Sequence, residues 1–256
     1  MLYTIRQEMS LGKPLITDAA MSGMYRTMQH IVAERHSTGF AADLPKAVRS
    51  ALQQEPEAVL AALFSQVHRR DTVLAEGPNP LVQTAADTWF PHTGAPTLHA
   101  VQGSAEECAG IAAGMALRVA DKAATQPGDV HAADRPRPVI IALLRGFSPL
   151  ISVLQLVQQY DLALLLVVSG EPESRADAQR RMLSTTVPIM PVDRADAVAV
   201  CRVMQECLLR ARSGWGGAVI HAAPLPGSQD ALTLMSQHLE KRGLVSHAGP
   251  DPVAGG

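Results

Sequence analysis

Two apolar runs, "PVIIALL" (138–144) and "ALLLVVS" (163–169), limit what this chain can become more than any other feature. Neither alternates with polar residues. A strand with one wet face alternates with a period of two. A strand without alternation is covered on both faces, which is the place of a central strand in a parallel sheet. Between the runs, Ser148 suits a helix N-cap and Pro149 a first helical residue. Leu150, Val153, Leu154 and Val157 then recur at helical spacing. Strand, helix and strand make a βαβ unit with a right-handed crossover. The fold class that follows is α/β, a parallel sheet flanked by helices on both faces.

The flanks fit that frame. Residues 17–36 read as an amphipathic helix, with Met21, Met24, Tyr25, Met28, Ile31 and Val32 on one side. Residues 44–67 read as a second helical region, its inner face Val48, Leu52, Val59, Leu60 and Leu63. "EGPNPLVQ" (76–83) and "FPHTGAPT" (90–97) read as loops. Residues 104–120 read as a helix capped by Ser104, with Glu106 and Glu107 at its positive end. Gly110 and Gly114 lie one turn apart in it, so a close neighbour is expected there. Residues 121–137 read as a polar surface excursion. A short strand (187–192), a helix (194–212) burying Ala197, Val200, Cys201, Met204 and Leu208, a strand (216–222) and a helix (228–243) close the chain. The organisation expected is an N-terminal helical extension (1–46), a core (47–227), and a C-terminal helix with a disordered tail (228–256).

Composition excludes some classes. The 256 residues are 47% hydrophobic, enough for one α/β core. A net charge of −2 and an aromatic content of 4% offer neither the basic field nor the stacking platform of a nucleic-acid binder. The longest apolar run is too short to span a membrane. Cys108, Cys201 and Cys207 have neither zinc-knuckle spacing nor a disulfide framework, and the start carries no signal-peptide pattern. The expectation is a cytoplasmic protein.

"PVDRADAVAVCRVMQECLLRARSGWGGAVIHA" (191–222) resembles a segment of the alpha subunits of thiamine-diphosphate-dependent 2-oxo acid dehydrogenases. Val192, Asp193, Asp196, Ala199, Val200, Ala211, Arg212, Gly214 and Gly216 carry the match. "MYRTMQHIVAER" (24–35), "GIAAGMAL" (110–117) and "DALTLMSQHLEKRGL" (230–244) are similar to three further family helices, in order. The resemblance implies the diphosphate-binding half of a two-part thiamine enzyme, with the cofactor held between an alpha and a beta subunit. It implies a beta-type partner, or else a homo-oligomer, and close helix contact through Gly110 and Gly114. It also implies that Asp193 and Asp196 fix a turn and a helix start.

One departure matters. The family places an aspartate in the loop after the first central strand and an asparagine after the next, both serving Mg²⁺, which wants oxygen ligands. The aligned loops here read "LLRGFS" (143–148) and "SGEPES" (169–174), with neither residue. Thiamine diphosphate remains the implied cofactor, but Mg²⁺ cannot be held in the usual manner. The vestigial cofactor site would comprise Arg145, Gly146, Ser148 and Glu171, with no metal set.

Each candidate has two readings. The Arg145 guanidinium replaces the metal and pairs with phosphate, or Arg145 is a surface or interface arginine. Glu171 is a stray ligand or part of a solvated loop. Glu106 or Glu107 protonates the aminopyrimidine, as a partner-type half would require, or simply favours a helix N-terminus. His92, His99 and His221 lack any triad context, and "SGWGG" (213–217) precedes a strand rather than opening a helix. Two functions follow. One is a non-catalytic or partner-dependent pseudoenzyme subunit within an oxidoreductase family. The other is an active enzyme for 2-oxo acid decarboxylation or acyl transfer, using Arg145.

Overall fold

The computed structural model describes residues 16–37, 39–40, 42–53, 55–91, 94–124, 136–146, 150–170 and 185–244. The strands are β1 (Thr72–Glu76), β2 (Thr97–Val101), β3 (Ile140–Leu144), β4 (Leu164–Val168), β5 (Ile189–Asp193) and β6 (Ala218–Ala223). They form one six-stranded sheet in the order β2-β1-β3-β4-β6-β5. Every neighbouring pair is parallel. The helices are α1 (Asp18–Arg35), α2 (Lys46–Gln53), α3 (Glu57–Phe64), α4 (Pro80–Trp89), α5 (Ala105–Ala124), α6 (Ile151–Tyr160), α7 (Ala197–Arg212) and α8 (Ala231–Lys241).

Both faces of the sheet are covered, as the unalternated runs require. Ile141, Leu143, Leu165 and Val167 join a core with α1, α3, α4, α7 and α8. Their neighbours Ile140, Ala142, Leu144, Leu164, Leu166 and Val168 join a second core with α5 and α6. Leu150, Val153, Leu154 and Val157 are all buried, as are the five apolar residues expected on α7. Burying each large aliphatic side chain contributes roughly 1.5–3 kcal/mol. Methionines from α1 (Met21, Met24, Met28) fill the first core between α3 and α4.

Asp71 locks the amino end of this sheet. It is 1% exposed, and its carboxylate accepts the backbone N–H groups of His68 (2.7 Å) and Val139 (2.9 Å) and the Arg212 guanidinium (2.6 Å). A buried carboxylate is tolerated only when paired and hydrogen-bonded in this way. One side chain thereby joins the starts of β1 and β3 to the end of α7.

Three expectations need correction, and a fourth is narrowed. Residues 44–67 are two helices, α2 and α3, with Pro56 at the break; proline lacks the N–H to continue a helix and disfavours helical backbone before it. Residues 76–83 are a strand end and a helix start, because Asn79 accepts the N–H groups of Leu81 and Val82 and Pro80 occupies the first turn. Helix α6 begins at Ile151 with Leu150 at its cap position; Ser148 and Pro149 lie outside the described residues. Gly110 and Gly114 face open space, so nothing in the described chain crowds them. The alanines Ala109, Ala112, Ala113 and Ala116 make the close approach of α5 to the sheet.

Candidate functional site

Ligands of open α/β sheets bind beyond the carboxyl ends of the strands, where neighbouring connections leave in opposite directions. In this sheet β1 leads outward to β2, and its neighbour β3 leads the other way to β4. The switch point therefore lies between Glu76, which ends β1, and Arg145, which follows β3. The backbone N–H of Arg145 donates to Glu76 Oε2 at 2.8 Å. Its side-chain Nε donates to Glu55 Oε2 at 3.3 Å.

Glu55 reaches the switch point from the short link between α2 and α3. It is 6% exposed. Burial pushes its carboxyl above the usual range. The Arg145 charge and hydrogen bond pull it back down, followed by a hydrogen bond from Asn79 and the Arg35 charge, without cancelling the effect of burial. Arg35 also donates to the Glu55 carbonyl and to Glu57 Oε2, so the link is held at both ends.

Backbone contacts fix Arg145 from the other side. A β-carbon at Gly170 would overlap the Arg145 carbonyl oxygen and press on Gly146. The Ser169 N–H donates to Leu144 O at 2.9 Å. One ring nitrogen of His221, on β6, lies 3.1 Å from Gly170 O. Gly77, at a φ of +73°, allows the turn after β1 to pass beside Arg145 Nη1. With Nε bound and Nη1 facing Gly77, Nη2 is buried and has no hydrogen-bond partner among the described residues.

The donor and acceptor inventory defines what this end of the sheet can do. Glu76 and Glu55 are engaged with Arg145, and the Asn79 carbonyl oxygen caps α4. Those oxygens do not compose a Mg²⁺ site, which needs several free oxygen ligands in octahedral array. Among the described residues no three His, Cys, Asp or Glu side chains gather as metal ligands. The buried guanidinium nitrogen is instead a donor suited to an anionic oxygen.

Of the expected site residues, Arg145 and Gly146 stand at the switch point; Ser148, Glu171 and His92 lie outside the described residues. Glu107 is a capping residue: its carboxylate accepts Ser104 N–H at 2.7 Å and its own N–H donates to Ser104 Oγ at 3.2 Å. That hydrogen bond holds its carboxyl below the usual range. Glu106 is exposed on the first turn of α5, and His99 is exposed on the edge strand β2. Asp193 accepts Ala195 N–H, and Asp196 accepts Val198 and Ala199 N–H, which fixes the turn and start of α7. "SGWGG" lies at the opposite, amino end of the sheet, where Gly217 packs on the Leu164 carbonyl. Glu55, Glu76 and Asn79 were not legible as site residues, since nothing local marks them.

No family model and no curated protein matches the chain. A solved enzyme from Mycobacterium smegmatis, provisionally assigned as thiamin diphosphate-dependent, is similar over 66% of this chain at 16% identity, with a TM-score of 0.47. The match takes in 31% of that enzyme's length, so this chain corresponds to under a third of it. The fold is α/β, with an all-parallel six-stranded sheet between helices. No described helix is long and apolar enough to cross a membrane.

Proposed function

We propose that the chain is a divergent alpha-like subunit of the thiamine-diphosphate-dependent 2-oxo acid dehydrogenase family, acting as a non-catalytic or partner-dependent member of a heteromeric complex. The observation that carries this reading is the Glu55–Arg145 pair at the β1/β3 switch point. If the resemblance places a diphosphate and its metal at this loop, they would need free acidic and amide oxygens, and there Glu55 is paired with Arg145 instead. The four segments that resemble the family support the reading, since they fall on α1, α5, the β5-α7-β6 unit and α8, in the order the resemblance requires. Gly110 and Gly114, open on the outer face of α5, suit close packing by a beta-type partner or by a second copy. Isothermal titration of thiamine diphosphate with Mg²⁺, on the chain alone and with a beta-type partner, tests the reading. Absence of binding to the chain alone is expected, and micromolar Mg²⁺-dependent binding to it overturns the proposal.

A second reading rests on Arg145 Nη2, which is buried and has no partner among the described residues. In an active enzyme that nitrogen would donate to a diphosphate oxygen, and a partner would bring the activating carboxylate. Thiamine diphosphate, when bound, supplies the carbanion chemistry of 2-oxo acid cleavage; the part left to this chain is to hold the anionic end. Unchanged affinity in Arg145→Ala removes this reading.

A further inference from the structure

We infer that the chain carries a second anion site, at the amino end of the sheet, built for a small organic phosphate. A cavity of about 550 Å³ opens there, against the starts of β1 and β3. Its size is that of a small-molecule site. Val67, Phe90 and Pro138 give it an apolar lining, and Arg69, Arg70 and Arg137 stand around it. Arg145 follows β3, whereas Pro138 precedes it, so the two sites occupy opposite ends of the sheet.

The charge balance favours a dianion. Among the described residues Asp71 is the one carboxylate of the lining, and it is already satisfied by Arg212 and two backbone N–H groups. Arg69, Arg70 and Arg137 have no ion-pair partner among the described residues. Three guanidinium groups with no counter-charge among the described residues, around one partly apolar cavity, exceed what a carboxylate can use. A phosphate offers three strong acceptor oxygens and close to two negative charges, and guanidinium forks match its geometry.

The three arginines are exposed, and glycine backbone stands beside two of them. The Arg137 guanidinium lies over Gly214, with its carbon 3.0 Å from where a β-carbon would stand. Gly214 has a φ of +79°, so a side chain there would be strained as well as crowded. The Arg137 N–H donates to Arg212 O at 3.3 Å, tying the cavity wall to the Asp71 lock. The Arg69 stem packs on Gly94, which has a φ of +81°. Burial, and then the Arg212 charge, push the His68 ring below its usual range, against a smaller upward pull from Asp71.

Isothermal titration on the full chain at neutral pH uses phenyl phosphate, inorganic phosphate and benzyl alcohol as probes. Phenyl phosphate should bind about tenfold or more tightly than inorganic phosphate, weakening with added salt, and benzyl alcohol should not bind. Arg70→Glu and Arg137→Glu should each weaken phenyl phosphate about tenfold or more. Arg69→Ala, a truncation of an exposed side chain, should weaken it less in a chain that melts like the parent. Arg145→Ala should leave this binding unchanged, which separates the site from the switch point. Equal affinity for the two phosphates, unchanged binding in Arg137→Glu, or loss in Arg145→Ala alone would each overturn the inference.

Discussion

Arg145 Nε and Glu55 Oε2, 90 residues apart in sequence, lie 3.3 Å apart at the switch point of the sheet. Glu55 is almost wholly buried, while the Arg145 side chain is 23% exposed. The two ends of the pair therefore carry unequal desolvation. Glu55→Ala strands a guanidinium and should destabilise the fold by about 2–3 kcal/mol. Arg145→Ala should be milder, because the carboxyl can take up a proton and keeps Asn79. A double-mutant cycle by urea unfolding should give a coupling of roughly 0.5–3 kcal/mol; a coupling near zero would mean that the contact is incidental.

The raised Glu55 carboxyl has a signed consequence for stability. Between the ordinary carboxylate range and the native value, the folded chain holds a proton that the unfolded chain has released. This contribution is complete below the ordinary range and is lost as pH rises through the native value. Glu55→Gln cannot titrate, so its stability relative to the parent should improve with pH across that window. Parallel stability curves for the two proteins would contradict the assignment. Glu107, held below the usual range, has the opposite slope and cancels in the comparison.

Gly170 tests the seam between the two loops. Its space, rather than its φ, excludes a side chain, since a β-carbon would meet the Arg145 carbonyl. Backbone cannot yield as a flexible side chain does. Gly170→Ala should cost about 1–3 kcal/mol and shift the environment of Arg145. A melting temperature equal to that of the parent would show that the loops are free to separate.

Asp71→Asn keeps the shape of the lock and removes its charge. Arg212 would then face an uncharged partner, and the two N–H groups that Asp71 accepts would compete for one carbonyl oxygen. A loss of about 3 kcal/mol is expected by thermal or urea unfolding. A change under ~0.5 kcal/mol would place this side chain with ordinary surface substitutions.

The three cysteines are free and buried. Burial raises all three thiols, Cys108 to about 11 and Cys207 to about 12. The thiolate is the reactive form. An aromatic disulfide reagent should therefore modify none of them quickly in the native chain and all of them in denaturant. Rapid native labelling of Cys108 would indicate that α5 opens from the sheet.

Legibility followed locality. Central strands and the stripes of α6 and α7 could be read, because burial on two faces or one leaves a run or a period in consecutive residues. Strand β1, "TVLAE", has three apolar residues, and β2, "TLHAV", is a largely exposed edge, so neither carries enough pattern to separate it from a loop. Arg145 was singled out because a family loop lacks its acid there. Its partner Glu55 was invisible, since one glutamate before a proline looks like any helix break.

By itself the sequence determined the class of the fold: unbroken apolar runs can only be satisfied by a sheet sealed on both sides, and the hydrophobic effect acts on each residue wherever it lies. Only the tertiary structure decided what those strands bring together. It closed Glu55 onto Arg145, tied Asp71 to Arg212, and left three arginines around one cavity with no counter-charge among the described residues. Charge pairing depends on distances across the fold, and such distances are set by packing rather than by spacing along the chain.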